Sequence, residues 1–121
     1  MNENYEILLI EDDVSTVNLL INYFTKKGHS IKGAITGSKG IEELMTNIPK
    51  LVLIDIILSD ISGFDICKII KSDNKYKKVP VYYLTAIPDT EVKKKMKETQ
   101  ADGYILKPFD LSDLEFLLEY L

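Results

Sequence analysis

The sequence predicts an α/β domain: a parallel five-stranded sheet with helices packed on both faces. Three observations predict it. Short apolar runs recur along the chain at Tyr5 to Ile10, Leu51 to Ile54, Pro80 to Leu84 and Gly103 to Leu106. Segments whose apolar residues fall at helical spacing alternate with them. The central run, Leu51-Val52-Leu53-Ile54, is apolar at every position before it meets Asp55, as in a strand buried on both faces. Alternation of this kind needs crossover connections, which make the sheet parallel and place helices on its two sides.

Tyr5 to Ile10 is the first strand and ends in Glu11-Asp12-Asp13. Apolar residues at Val17, Leu20, Ile21 and Phe24 mark the first helix, with Asp13 or Ser15 as its cap and Gly28 as its stop. His29 to Ala34 is a short strand expected at an edge. After the turn Thr36-Gly37-Ser38, a helix over Lys39 to Asn47 places Ile41, Leu44 and Met45 on one face. Pro49 ends that helix, and Leu51 to Ile54 is the third strand. Ser62 caps a helix from Gly63 to Ser72. A polar loop, SDNKYKK, leads to the fourth strand, Pro80 to Leu84, where proline takes a tolerated first position. Pro88-Asp89 opens the fourth helix, to about Thr99, and Gly103 to Leu106 is the fifth strand. Asp110 caps a last helix with Leu114, Leu117, Leu118 and Leu121 as its core stripe; Phe116 and Tyr120 lie off that stripe and offer a partner surface. Five such units fit a flavodoxin-like, doubly wound (βα)5 three-layer sandwich of strand order 2-1-3-4-5. Residues 1–121 read as one domain, long enough to bury a core without staples.

Composition excludes several classes of function. A formal net charge of −4 lacks the basic excess of a nucleic-acid-binding domain. The lone Cys67 forms no internal disulfide and sits among Ile66, Ile69 and Ile70 as a small core residue. No apolar stretch approaches the roughly 20 residues of a membrane helix, and no basic segment precedes the first apolar run, so the expected location is the cytoplasm. The lysines at 71, 75, 77, 78, 93, 94, 95 and 97 read as a solvated face. Ile35-Thr36-Gly37-Ser38-Lys39-Gly40 reads as a helix-start turn rather than a phosphate loop. His29 receives no role.

The predicted topology concentrates chemistry at one edge. Ligands of open α/β sheets bind beyond the C-terminal ends of the strands, at the point where strand order reverses. Here that crevice receives Glu11 and Asp12 from the first strand and Asp55 from the third. Clustered carboxylates repel one another unless a cation joins them. An all-oxygen set without His or Cys suits a hard ion, Mg²⁺ or Mn²⁺. The fourth strand ends in Thr85-Ala86, bringing a hydroxyl, and the fifth in Lys107-Pro108, bringing an ammonium. Carboxylate, metal site, hydroxyl and lysine together answer what phosphoryl transfer requires, with the carboxylate itself as nucleophile. Three other readings stay open on the residues alone. A phosphatase with an aspartyl nucleophile wants a second acid at position 57, which is Ile. A flavin module wants a glycine- and hydroxyl-rich loop where this chain has acids. An interaction domain that is never phosphorylated would have no need of the full set.

The segments LLIEDD, LVLIDIILSDISGFDI, PVYYLTA and ADGYILKPFDL, in that order, resemble the receiver domain of two-component response regulators across essentially the whole chain. The resemblance implies that Asp55 accepts a phosphoryl group from the phosphohistidine of a histidine kinase or phosphotransfer protein. It implies a metal site of Glu11, Asp12, Asp55 and the backbone carbonyl of Ile57, with Asp12 ligating directly and Glu11 through water. Thr85 and Lys107 would then bind the phosphoryl group, Tyr104 would be the switch aromatic, and Pro108 would follow a cis bond. Ala86 completes the site structurally. The implied output is a remodelled surface of helix 4, strand 5 and helix 5 for an effector protein, an output domain or a homodimer partner. Such a protein acts on itself and is no enzyme in the ordinary sense. Three positions depart from the pattern: Ser59 stands for the usual Pro, Ser62 for an Asp, and Gln100 for a Gly. Ile57 and Ile87, two past the acceptor and two past the threonine, are branched and apolar and are expected to hinder the water that removes the phosphoryl group. The chain reads either as a stand-alone receiver or as one taken from a longer protein.

Overall fold

The computed structural model describes residues 4–121, so the first three residues of the expected 1–121 domain lie outside the described residues. The elements are β1 (Ile7–Ile10), α1 (Val14–Lys26), β2 (Ile31–Ala34), α2 (Gly37–Thr46), β3 (Leu51–Asp55), α3 (Gly63–Ser72), β4 (Val81–Thr85), α4 (Asp89–Thr99), β5 (Gly103–Leu106) and a C-terminal 3-10 helix (Leu111–Tyr120). All strand pairs are parallel, in the order β2-β1-β3-β4-β5. The expected doubly wound topology is therefore the one observed.

Pleating divides the core. Along β1 and β3, Leu8, Ile10, Val52 and Ile54 face a cluster with Leu44, Ile66, Ile70 and Val92, from α2, α3 and α4. Ile7, Leu9, Leu51 and Leu53 face the other way, onto Val17, Leu20 and Phe24 of α1 and Leu114 and Leu117 of the 3-10 helix. Successive strand residues point to opposite faces, so an all-apolar run is what two buried faces demand. Cys67 is buried in the first of these clusters.

Most helix boundaries have the expected causes. Thr36 Oγ1 accepts from the Lys39 N–H at 3.1 Å and Ser62 Oγ from the Phe64 N–H at 3.2 Å, each satisfying an otherwise free amide. Gly28 takes φ +86° past the end of α1, where its own N–H reaches Thr25 O and that of His29 reaches Phe24 O. Gln100 ends α4 in the same left-handed region, φ 63°, without glycine's freedom.

Several expectations need correction. The buried residues of α2 are Gly37, Gly40 and Leu44, and Met45 is 72% exposed. A Cβ on Gly40 would lie 2.7 Å from Ile10 Cγ1, so the helix approaches β1 through a glycine and rotates Met45 outward. β2 starts at Ile31 rather than His29, because His29 and the Ser30 N–H are held by the Glu6 carboxylate, each at 3.2 Å. Lys71 is not on the solvated face: its side chain is 8% exposed, donates to Val79 O at 2.7 Å and meets Asp102 Oδ2 at 2.8 Å. The final helix winds with three residues per turn, which stacks Leu114 directly on Leu117 and leaves Leu118 and Leu121 only partly buried. Phe116 and Tyr120 are half-exposed, yet both pack against Tyr82, and the Tyr120 and Tyr82 hydroxyls are 2.6 Å apart. They cover part of β4 and keep part of their surface exposed.

Candidate phosphoacceptor and metal site

Strand register brings the candidate residues together. Ile10 pairs with Ile54, so Glu11 leaves β1 beside Asp55, the last residue of β3. Thr85 ends β4 level with Leu106, so Lys107 leaves β5 one step beyond it. The Lys107 N–H donates to Thr85 O at 2.8 Å, tying those two strand ends together.

The centre of the site is the Lys107 ammonium. Its Nζ lies 2.5 Å from Glu11 Oε1 and 3.1 Å from Asp55 Oδ2. The other Asp55 oxygen accepts the Ile57 N–H at 3.1 Å, and the other Glu11 oxygen accepts the Asp13 N–H at 3.3 Å. Thr85 is fully buried, and its Oγ1 accepts from the Ile87 N–H at 2.9 Å, which leaves the hydroxyl hydrogen available to an acceptor in the crevice. Ala86 follows it, exposed, and Ile57 is 66% exposed at the rim. Tyr104 sits on β5 opposite Tyr83, partly buried against the α2–α3–α4 side of the core and apart from the carboxylates. The Lys107–Pro108 peptide is cis.

Glu11, Asp12 and Asp55 each present a carboxylate oxygen within 4.8 Å of the others. Burial pushes the Glu11 carboxyl up to about 7, hydrogen bonding and charge from Asp55 add to the rise, and Lys107 opposes it. Burial works against the Lys107 charge, but hydrogen bonds and charges from Glu11 and Asp55 outweigh it and hold the ammonium above its ordinary value. A buried acid held above its normal range beside two others is under-neutralised by one lysine. That mismatch, with a donor set made only of oxygen, fits a hard divalent cation.

One residue of the site region escaped sequence reasoning. Asp60, in the loop after β3, accepts the Gly37 N–H at 2.8 Å and the Ser38 N–H at 2.9 Å, and its Oδ2 also takes the Ser38 hydroxyl at 2.8 Å. Hydrogen bonds from Ser38, and then from the Gly37 amide, hold its carboxyl well below the ordinary range. These bonds join the loop after Asp55 to the start of α2. A loop aspartate 22 residues from its partner carries no local signal of that pairing.

Comparison with known proteins agrees with the geometry. The chain matches the sequence pattern of the response regulator receiver domain over residues 7–119. It is 37% identical over 109 residues to the probable transcriptional regulatory protein SilR of Salmonella typhimurium, covering 90% of this chain and 47% of that protein. The transcriptional regulatory protein CusR of Escherichia coli is 34% identical over the same length, again with 90% of this chain and 47% of that protein covered. The chain thus spans about half the length of these curated relatives. A two-component response regulator from Clostridium difficile superposes with a TM-score of 0.87 at 28% identity, over 95% of this chain and 93% of that one. No helix among the described residues is long and apolar enough to cross a membrane. A match over nearly its full length, on a five-stranded fold that gathers these carboxylates at one edge, places the chain in the response regulator receiver family, whose standard function is phosphoryl transfer to an aspartate.

Proposed function

We propose that this domain is a metal-dependent phosphoacceptor switch in which Asp55 receives the phosphoryl group. The observation that carries the reading is the Lys107 ammonium spanning Asp55 and Glu11 at 3.1 and 2.5 Å. It supplies positive charge where phosphoryl oxygens would arrive.

A carboxylate oxygen of Asp55 attacks phosphorus on the phosphohistidine of a histidine kinase or phosphotransfer protein. The P–O bond forms as the P–N bond breaks, the electron pair stays on the imidazole nitrogen, and that nitrogen takes a proton from solvent. The Lys107 ammonium and the Ile57 N–H orient the attacking carboxylate before transfer. Glu11, Asp12, Asp55 and the Ile57 carbonyl would hold Mg²⁺ or Mn²⁺, which when bound neutralises charge on the transferring group. After transfer, Lys107 and the Thr85 hydroxyl pair with the phosphoryl oxygens, Tyr104 follows the movement of Thr85, and Pro108 fixes the turn behind Lys107. Ala86, beside Thr85, leaves room for the group. The protein carries the transferred group on its own carboxylate, so the chemistry is directed at itself.

The readout is the surface of α4, β5 and the C-terminal helix, offered to an effector, an output domain or a second copy. The relatives are transcriptional regulatory proteins about twice this length, which supports an output domain in the native context and a cytoplasmic site of action. This domain itself has no basic excess for DNA.

The test is intact mass after incubation with acetyl phosphate and Mg²⁺. One phosphoryl adduct, lost in Asp55→Asn and lost with chelator, is the expected result. Absence of an adduct under conditions that label a known receiver would overturn the proposal and leave a phosphorylation-independent interaction domain.

A further inference from the structure

We infer that Asp60 is a positioning residue for the metal and phosphoacceptor site, a clamp that sets where the loop after β3 places the amide and carbonyl of Ile57 beside Asp55. The inference rests on the phosphoacceptor reading above.

Asp60 lies five residues past Asp55 in a loop that must turn from β3 into α3. Its carboxylate leaves that loop and binds the first two amides of α2 and the Ser38 hydroxyl, three bonds of 2.8 to 2.9 Å. An anion at a helix start meets both free N–H groups and the positive end of the helix dipole. Gly37 is shaped to the same contact: a Cβ there would lie 3.1 Å from Asp60 Oδ1 and 3.0 Å from Ile66 Cδ1. α2 therefore cannot retreat from or crowd the carboxylate without losing its fit.

Between this clamp and the acceptor sits Ile57, whose N–H holds Asp55 Oδ1 at 3.1 Å. On the far side, the Gly63 N–H returns to Ile56 O at 2.8 Å. The loop is thus pinned near both its ends and, through Asp60, sideways onto α2. Removing the sideways pin leaves the carboxylates in place on rigid strands but frees the segment that carries the Ile57 amide and carbonyl. Groups that orient ligands without touching the metal typically set its affinity by about tenfold or more.

The experiment measures labelling by acetyl phosphate as a function of Mg²⁺ concentration, with calorimetric titration of Mg²⁺ as a second readout. It compares wild type, Asp60→Ala, Asp60→Asn and Lys71→Met. Asp60→Ala is expected to raise the Mg²⁺ concentration for half-maximal labelling by about tenfold, with the rate at saturating Mg²⁺ largely retained. Asp60→Asn keeps one acceptor oxygen and falls between, so the clamp remains testable should the alanine variant fail to fold. Lys71→Met destabilises α3 at its opposite end and leaves the Mg²⁺ dependence within about twofold of wild type; a general loss of stability would move both alike. A wild-type Mg²⁺ dependence in both Asp60 variants overturns the clamp. Failure of wild type to label at any Mg²⁺ concentration overturns the phosphoacceptor reading beneath it.

Discussion

Gly63→Ala is the sharpest structural perturbation near the proposed acceptor, Asp55. α3 begins at Gly63 and leans directly on the end of β3. An ideal Cβ there would lie 2.8 Å from Ile56 Cα and 3.0 Å from the Asp55 carbonyl carbon, and closer still to the Asp55 carbonyl oxygen. Relaxed carbon–carbon contacts are about 3.5–4.0 Å, so the two segments must part by roughly 1 Å. The obstructing atoms are all backbone and cannot rotate away. Overpacking of this kind costs about 1–3 kcal/mol, against which alanine's better helix propensity returns about 0.5–1 kcal/mol. The expected net loss is about 1–2 kcal/mol, seen as a lower urea midpoint at unchanged slope. The same displacement moves the strand end that bears the acceptor, so labelling by acetyl phosphate falls by about 10²-fold. Gly28→Ala is the comparison: open space surrounds its Cβ and only its φ of +86° resists, so stability falls by about 1–2 kcal/mol while labelling is unchanged. A Gly63→Ala protein as stable as wild type and labelled at the wild-type rate would refute the packing argument.

Three further outcomes follow from other parts of the molecule. Lys71→Met strips the ammonium from Val79 O and Asp102, and chemical denaturation should register a loss of about 2–4 kcal/mol, moderated because Asp102 keeps the Val81 N–H at 2.8 Å. Gln100→Gly relieves a left-handed backbone costing about 1–2 kcal/mol, less the extra chain entropy, so a gain of about 0.5–1 kcal/mol in the same assay is expected and a loss would contradict it. In chelator, Glu11 keeps a proton in the folded state up to about pH 7 that the unfolded chain releases near 4.5. Stability from that group is therefore full below about pH 4.5 and is lost as pH rises toward 7; urea midpoints across that range should fall in wild type and flatten in Glu11→Gln.

What was legible in the chain depended on how far apart the interacting residues lie. β1 and the first four residues of β3 announce themselves because every position is apolar, and two buried faces leave no alternative. Asp55 stood out as the first polar residue after such a run, and the topology then supplied Glu11, Asp12, Thr85 and Lys107 as its neighbours. The orientation of α2 was not legible, because it turns on Gly40 meeting Ile10 across 30 residues, while Met45 satisfied the local helical pattern equally well. Lys71 sat in a run of lysines, and only its distance to Asp102, 31 residues on, separates it from the solvated ones. The last helix is a 3-10 helix with Leu114 and Leu117 buried in the core, a winding that a leucine-rich segment does not state on its own.

Lys107 connects the site's charge to its output. When all are ionised, Glu11, Asp12 and Asp55 with Lys107 carry three negative charges and one positive, and the lysine is shared between Glu11 and Asp55. A divalent cation on the carboxylates would bring that group to neutrality and remove the demand on Lys107. Under the proposed function, phosphorylation of Asp55 would replace one carboxylate charge by nearly two on the acyl phosphate and restore a local deficit of positive charge. The donors placed to answer it are the Lys107 ammonium and the buried Thr85 hydroxyl, which sit on strand ends tied by the Lys107 N–H to Thr85 O bond of 2.8 Å. Thr85 is four residues from the start of α4, with the Ile87 N–H bonded to its hydroxyl oxygen, so redirecting that hydroxyl disturbs the segment that enters α4. Under the switch proposed above, the Lys107 N–H to Thr85 O bond and the Ile87 N–H to Thr85 Oγ1 bond would link the site to the segment that enters α4.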